Sequence, residues 1–112
     1  MSKFVSTSLC VALLAASVAV NAAGQVIPND LSKCRSGPST LVQISGVKAG
    51  TGKIRVQSYR ATAADWLVKG RWISRIEVPA HAGTMTVCVP LPEAGSYGIA
   101  VRHDVNGNGK TD

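Results

Sequence analysis

The stretch 53-KIRVQSYR-60 decides the fold class, because apolar and polar residues alternate along it with a period of two. In an extended chain it places Ile54, Val56 and Ser58 on one side and Arg55, Gln57 and Tyr59 on the other. One apolar side and one basic, polar side are typical of a half-buried strand in an antiparallel sheet. We therefore expect this segment to be a strand with one face on the core.

Four further β-rich runs surround this strand, at residues 40–47, 71–79 and 84–91 and within residues 91–104. Gly50 and Gly52 suit a hairpin between the first run and residues 53–60, and residues 61–70 suit a loop with one helical turn. The expected inward positions of the later runs are Trp72, Ser74, Ile76, Val78, Met85, Val87, Val89, Tyr97, Ile99 and Val101. Five strands with short turns and no repeats predict an all-β fold, a small antiparallel β-sandwich.

The N-terminus has the composition of a cleavable signal peptide, predicted over residues 1–22. Lys3 precedes an apolar run at residues 9–20, and the small residues Ala22 and Ala23 suit cleavage after either of them. This run is shorter than the roughly 20 residues that span a membrane, so we expect no transmembrane anchor. The sequence therefore predicts an exported protein, periplasmic or extracellular, with an extended leader (residues 23–39) before the sandwich domain (residues 40–112).

The mature chain of about 90 residues buries only a modest share of its surface, so its core alone would give the fold only marginal stability. Cleavage leaves Cys34 and Cys88, which predict a disulfide in an exported protein. Cys88 is expected to face away from the core, toward the leader that carries Cys34. Two separate buried thiols are the alternative; a zinc site is less expected, because His81 and His103 do not fall at ligand spacings.

The charge pattern concerns the choice of partner. The chain carries a net charge of +6, which predicts attraction to anionic surfaces such as lipopolysaccharide, acidic glycans or nucleic acid. The basic residues are spread over several strands without an arginine-rich run, and aromatic residues do not interleave with them in any nucleic-acid signature. A solvated basic surface is the favoured interpretation, and anionic components of the cell envelope are the partners it suits. Trp66 and Trp72 suit either an exposed ligand patch or a place in the core.

The last quarter of the chain, "TVCVPLPEAGSYGIAVRHDVNGNGKTD" (residues 86–112), resembles the bacterial family called domain of unknown function 2141. The matching positions are Leu91, Pro92, Gly95, Tyr97, His103, Asp104, Asn106, Asn108 and Gly109. The resemblance covers roughly residues 40–112 and implies an exported immunoglobulin-like or transthyretin-like sandwich with no assigned reaction. Family members usually continue into a glycine-rich segment past this loop, so the resemblance implies a shortened member or a fragment.

The terminal stretch 103-HDVNGNGKTD-112 is spaced like a calcium-binding loop. The candidate ligands, at positions 1, 3, 5, 7 and 9, are Asp104, Asn106, Asn108, the Lys110 carbonyl and Asp112, with Gly109 at position 6. A strand precedes this loop and the chain lacks an acid at position 12, so it is not an EF-hand. Two Asn-Gly dipeptides also suit a plain turn, and both interpretations stay open. The resemblance favours calcium, with the weak affinity of extracellular modules.

Catalysis has little support in the sequence. His103 beside Asp104, with Arg102, would suit a general base in a small periplasmic hydrolase, but a satisfied histidine at the edge of the core is the favoured interpretation. No nucleophile motif or phosphate-binding glycine loop occurs. We expect a noncatalytic module with an interaction or structural role at the cell envelope, and the hydrolase is the alternative.

Overall fold

A computed structural model describes residues 24–109 of the chain. The predicted signal peptide, Lys110 and Asp112 lie outside the described residues. The fold is mostly β, with one short 3-10 helix at Leu31–Arg35. The strands are β1 (Gln25–Val26), β2 (Ser39–Val47), β3 (Lys53–Arg60), β4 (Ser74–Pro79), β5 (Gly83–Pro90) and β6 (Tyr97–Asp104).

The strands form two sheets, one of four strands in the order β1-β4-β3-β6 and one of two strands, β2 and β5. All pairs are antiparallel except β1 with β4. The predicted hairpin between β2 and β3 is therefore wrong. Both edges of β3 are occupied, since Val56 lies opposite Ile76 on β4 and Val101 on β6. The chain leaves β2 after an irregularity beyond Ile44 and crosses to the other sheet.

The core confirms the predicted alternation and draws on both sheets. Its fully or nearly buried apolar side chains form one cluster, made by Val47, Ile54, Val56, Ile76, Ala80, Met85, Val87 and Val89. Ser58 and Ser74, on neighbouring strands, are also buried and satisfy each other with Oγ atoms 3.0 Å apart. Such pairing removes the cost of burying a lone hydroxyl. The chain is thus an all-β domain whose two sheets share a core.

The inner face of β6 is only partly covered. Val101 faces the same way as its neighbour Val56, as expected from the alternation, but its surface is 44% exposed. β6 is the edge strand of the wider sheet, and the facing sheet has only two strands. The predicted face of Val101 is therefore confirmed, but its predicted burial in the core is wrong.

The leader is more regular than the sequence suggests, because it contains both β1 and the 3-10 helix. The Asn29 side chain also bonds the backbone of β5, donating to the Thr86 carbonyl at 3.1 Å and accepting from the Cys88 amide at 2.9 Å. Cys34 and Cys88 form a disulfide with a Cα–Cα distance of 5.8 Å, which confirms the predicted pairing. Cys88 is completely buried beneath the leader. The leader therefore contacts both sheets, through β1 and through β5.

Residues 61–72 fold over the outer face of the wider sheet. The predicted single helical turn is present, since the Trp66 amide donates to the Thr62 carbonyl at 2.9 Å. This turn places the Trp66 ring edge-on against Tyr59, with centroids 5.4 Å apart, and over Gly98, where any Cβ would overlap the indole. Trp66 thus packs outside the core cluster. None of the helices found in residues 24–109 has the length and apolarity needed to cross a membrane.

Candidate calcium-binding loop

The β6 loop (residues 104–112) begins where β6 ends, against the chain that enters β3. Asp104 pairs with Lys53 in the strand register. The neighbouring Gly52 has φ +73°, and a Cβ there would overlap the backbone carbonyl of Asp104. Only glycine allows this close approach. The start of the β6 loop is therefore held against the β2–β3 connection.

The Asp104 carboxylate organises the described part of this loop. Asp104 is only 3% exposed. Oδ2 accepts from the Gly109 amide at 2.6 Å, and Oδ1 accepts from the Asn108 amide at 3.3 Å. The Asn108 amide also donates to Asn106 Oδ1 at 3.1 Å, and the Gly107 amide donates to the Asp104 carbonyl at 3.2 Å. The backbone therefore curls around one carboxylate.

Two glycines make this curl possible. Gly107 and Gly109 have φ of +70° and +83°, in the left-handed region that side chains disfavour. A positive φ at Gly109 is what a calcium loop requires at its sixth position, and an Asn-Gly turn requires the same. The backbone conformation is common to both interpretations.

The ligand supply of the loop has strengths and weaknesses. An ionised carboxylate has about four lone-pair sites, so Asp104 can accept further bonds besides its hydrogen bonds from two backbone amides. However, Arg102 Nη2 donates to the Gly109 carbonyl at 3.3 Å and brings a positive charge to the loop. Among residues 24–109, no three His, Cys, Asp or Glu side chains are grouped closely enough to hold a metal ion. A cation here would depend on amide and carbonyl oxygens, and on Lys110 and Asp112 beyond the described residues.

His103 and Asp104 are not brought together as a catalytic pair. Successive residues of a strand point to opposite faces. His103 shares a face with its partner Ile54, and its Nε2 lies 2.8 Å from the Thr51 carbonyl oxygen. The carboxylate of Asp104 is bonded to the loop amides instead. His103 is a partly buried histidine that ties β6 to the β2–β3 connection, and the geometry gives the hydrolase alternative no support.

The structure also groups basic residues that sequence reasoning had described as spread out. Arg55, Arg75 and Arg102 lie on the outer face of three neighbouring strands, with Arg55 directly opposite Arg102. From the sequence, each of these arginines is either on the polar side of its own strand or near the end of the chain. The missing information was which strands are neighbours, and in which register.

Comparison with known proteins places this chain in a family. Neither the curated proteins nor the solved structures gave a match. A family model described as "Uncharacterized protein conserved in bacteria (DUF2141)" matches residues 42–112, more than half of the chain. The match begins inside β2 and includes the β6 loop. The chain belongs to the DUF2141 family of bacterial proteins.

Proposed function

We propose that this protein is an exported, noncatalytic β-sandwich module, immunoglobulin-like or transthyretin-like, that acts in the periplasm or outside the cell. Its role is interaction or structure at the cell envelope, and its β6 loop binds calcium weakly. Export is supported by Lys3 and the apolar run at residues 9–20. The net charge of +6 favours anionic partners in the envelope.

The observation that carries the calcium proposal is the register of oxygen-bearing side chains on the curled loop. Asp104, Asn106 and Asn108 occupy alternate positions, and the bend falls at Gly109. Calcium takes six to eight oxygen ligands and accepts flexible geometry. Carboxylate, amide and backbone carbonyl oxygens are therefore a suitable set. Only two carboxylates, Asp104 and Asp112, are present, and Arg102 is close, so the affinity should be weak.

Calcium would act on this fold by ordering one end of it. Asp104 begins the loop, and its backbone carbonyl lies against Gly52 in the β2–β3 connection. His103 contacts Thr51 in the same connection. A cation held by the loop would therefore rigidify the end of β6 together with the start of β3.

Thermal melting of the purified protein with calcium and with chelator tests this proposal. At about 10 mM Ca²⁺, a site with a Kd of roughly 1 mM stabilises the fold by about 1.4 kcal/mol. For a domain of this size, that raises Tm by roughly 5–10 °C. Isothermal titration calorimetry gives the affinity directly. If wild-type Tm is the same in calcium and chelator, and calorimetry detects no binding, the β6 loop is only a turn.

Variants assign the effect to the loop. Asp104→Ala should abolish the calcium-dependent shift, although it also lowers Tm in chelator because it removes two hydrogen bonds. Asn106→Ala removes a ligand and only one turn contact, so it keeps the test available if Asp104→Ala fails to fold. Asp65→Asn, which removes a carboxylate from another loop, is the matched control and should retain the full shift. Equal shifts in all variants would place calcium elsewhere.

A further inference from the structure

A cavity of about 600 Å³ opens between the leader, the start of β4 and the end of β5. We call it the leader cavity. Apolar residues make up most of its lining, and they are Ile27, Pro28, Ile73, Pro90, Leu91 and Pro92. Small-molecule sites have volumes in this range, are lined mostly by apolar groups and orient the ligand with a few polar ones. The leader cavity therefore has the size and the lining of a small-molecule site.

The floor of the leader cavity is continuous with the core. Ile27 and Leu91 pack against the buried core cluster but are themselves only half-buried. Ile73, just before β4, is half-buried as well. All three side chains line the cavity, so apolar surface beside the core stays open to water. A ligand with an apolar side chain would remove this surface from water, and that removal favours binding.

The leader is attached to both sheets along the cavity. The Ile27 amide donates to a backbone carbonyl of β4 at 2.9 Å. The Asn29 side chain is hydrogen-bonded to the backbone of β5, and Cys34 is joined by the disulfide to Cys88 on the same strand. The segment between Asn29 and Cys34 is thus held at both ends. A cavity whose wall is fixed before the ligand arrives loses less entropy on binding.

Between these attachments the leader brings two opposite charges to the cavity. Asp30 and Lys33 both line it. Within residues 24–109, neither side chain takes part in an ion pair. The two groups are nevertheless near each other, since the positive charge of Lys33 lowers the pKa of Asp30. The cavity therefore has one acidic and one basic group at its rim, and each is available to a ligand.

The Asp30 carboxylate is oriented as well as ionised. Its Oδ1 accepts from the Ser32 hydroxyl at 2.6 Å and from the Ser32 amide at 3.0 Å. These hydrogen bonds lower the pKa of Asp30, and the charges of Lys33 and Arg35 lower it further. Because both bonds go to Oδ1, the lone pairs of Oδ2 are left for a ligand. Asp30 is therefore a fixed anionic acceptor beside an apolar floor.

We propose that the leader cavity binds a small zwitterion with an apolar side chain, either a free amino acid or a dipeptide. The ligand's ammonium group donates to Asp30 Oδ2, and its carboxylate accepts from the Lys33 ammonium group. Such charge-assisted hydrogen bonds are stronger than neutral ones. A fatty acid would leave Asp30 without a partner and be repelled by it, whereas a zwitterion satisfies both charges. The site shares no residue with the β6 loop, goes beyond the proposed envelope role and does not depend on calcium.

Titration of the ¹⁵N-labelled protein followed by NMR tests the cavity, with leucine and the dipeptide Leu-Leu as probes. We expect at least one of them to shift the amides of residues 29–33 and 73–74. The tighter ligand tells whether the site takes an amino acid or a dipeptide. N-acetyl-leucine amide keeps the side chain but carries no charge, so it should bind at least tenfold more weakly. If neither leucine probe shifts these amides, or if the uncharged probe binds as tightly, the proposal fails.

Two further sets of probes test the apolar floor and the class of ligand. Glycine and Gly-Gly carry the same charges without an apolar side chain, and each should bind at least tenfold more weakly than its leucine counterpart. Equal binding would show that the apolar floor is not used and would overturn the proposal. Vesicles of phosphatidylethanolamine present an ammonium and a phosphate group above an apolar phase. If these vesicles shift the same amides and neither leucine probe does, the cavity binds lipid and the proposal is wrong.

Variants assign the binding to the two charges. Lys33→Gln and Asp30→Asn should each weaken binding of the tighter leucine probe at least tenfold. Asparagine keeps an Oδ1 that accepts from Ser32, so Asp30→Asn preserves the cap of the 3-10 helix. Lys48→Gln and Asp65→Asn make the same changes in net charge outside the cavity, and they should bind like the wild type. Cavity variants that bind as tightly as these matched controls would refute the assignment.

Discussion

Removal of the disulfide should destabilise the domain by about half of its folding free energy. Cys34 and Cys88 are 54 residues apart in sequence. In the chain-entropy model, closing a loop of this length in the unfolded chain contributes about 4 kcal/mol. The roughly 5–10 kcal/mol typical of small domains sets the scale. The double variant Cys34→Ala/Cys88→Ala should also lose the contacts of a completely buried sulfur.

Urea denaturation followed by tryptophan fluorescence measures this loss. With a slope of slightly more than about 1 kcal/mol/M, the midpoint should fall by roughly 3 M. Wild-type protein under reductant is the control and should shift by nearly the same amount, since it lacks the crosslink but keeps both cysteines. A loss below about 1.5 kcal/mol in both samples would refute the reasoning. It would show that noncovalent contacts already hold the leader without the crosslink, in the unfolded chain as well as in the folded domain.

Three further changes probe the leader, the loop over the sheet and the aromatic contact. Asn29→Ala should lower the free energy of unfolding by about 1–3 kcal/mol, because a buried backbone amide of Cys88 loses its acceptor; equal urea midpoints would contradict this. The pKa of Asp65 lies below its ordinary value, because Thr62 and then Arg71 hydrogen-bond to the carboxylate. The contribution of ionised Asp65 to folding stability is therefore complete above the ordinary pKa of 3.8 and is lost as the pH falls through the lower folded-state pKa. The Trp66 amide signal should therefore shift in NMR spectra of the wild type on acidification, but not in spectra of Asp65→Asn. Gly98→Ala should push the Trp66 ring off the sheet at a cost of about 1–3 kcal/mol, and an unmoved indole N–H signal would show that the ring tolerates the added methyl.

The sequence predicted the local features of this fold more accurately than the pairing of its strands. Alternation in residues 53–60 correctly identified the buried face of β3, because a strand presents its side chains with a fixed period. The glycines after β2 suited a hairpin, but β2 and β3 lie in different sheets. They carried no information on whether β3 continues in the same sheet. That choice depends on β5 and β6, which lie far along the chain.

The candidate loop and the group of arginines differ in the same way. The β6 loop is contiguous, so the spacing of Asp104, Asn106 and Asn108 could be read directly from the sequence. Arg55, Arg75 and Arg102 come from three strands, and only the register of the sheet brings them together. The positive φ of Leu67 could not be predicted from the sequence, because the folded loop imposes it and the residue type does not.

The order of the strands also determines when the chain can fold. β2 finds its partner in β5, and β3 completes its pairing only with β6, which ends at Asp104. Loops that join such distant segments close slowly, because their entropy is lost before any contact is gained. A growing chain therefore cannot complete its two sheets until β5 and β6 have been synthesised. Late folding of this kind is the condition that an exported protein needs if it crosses a membrane as an unfolded chain.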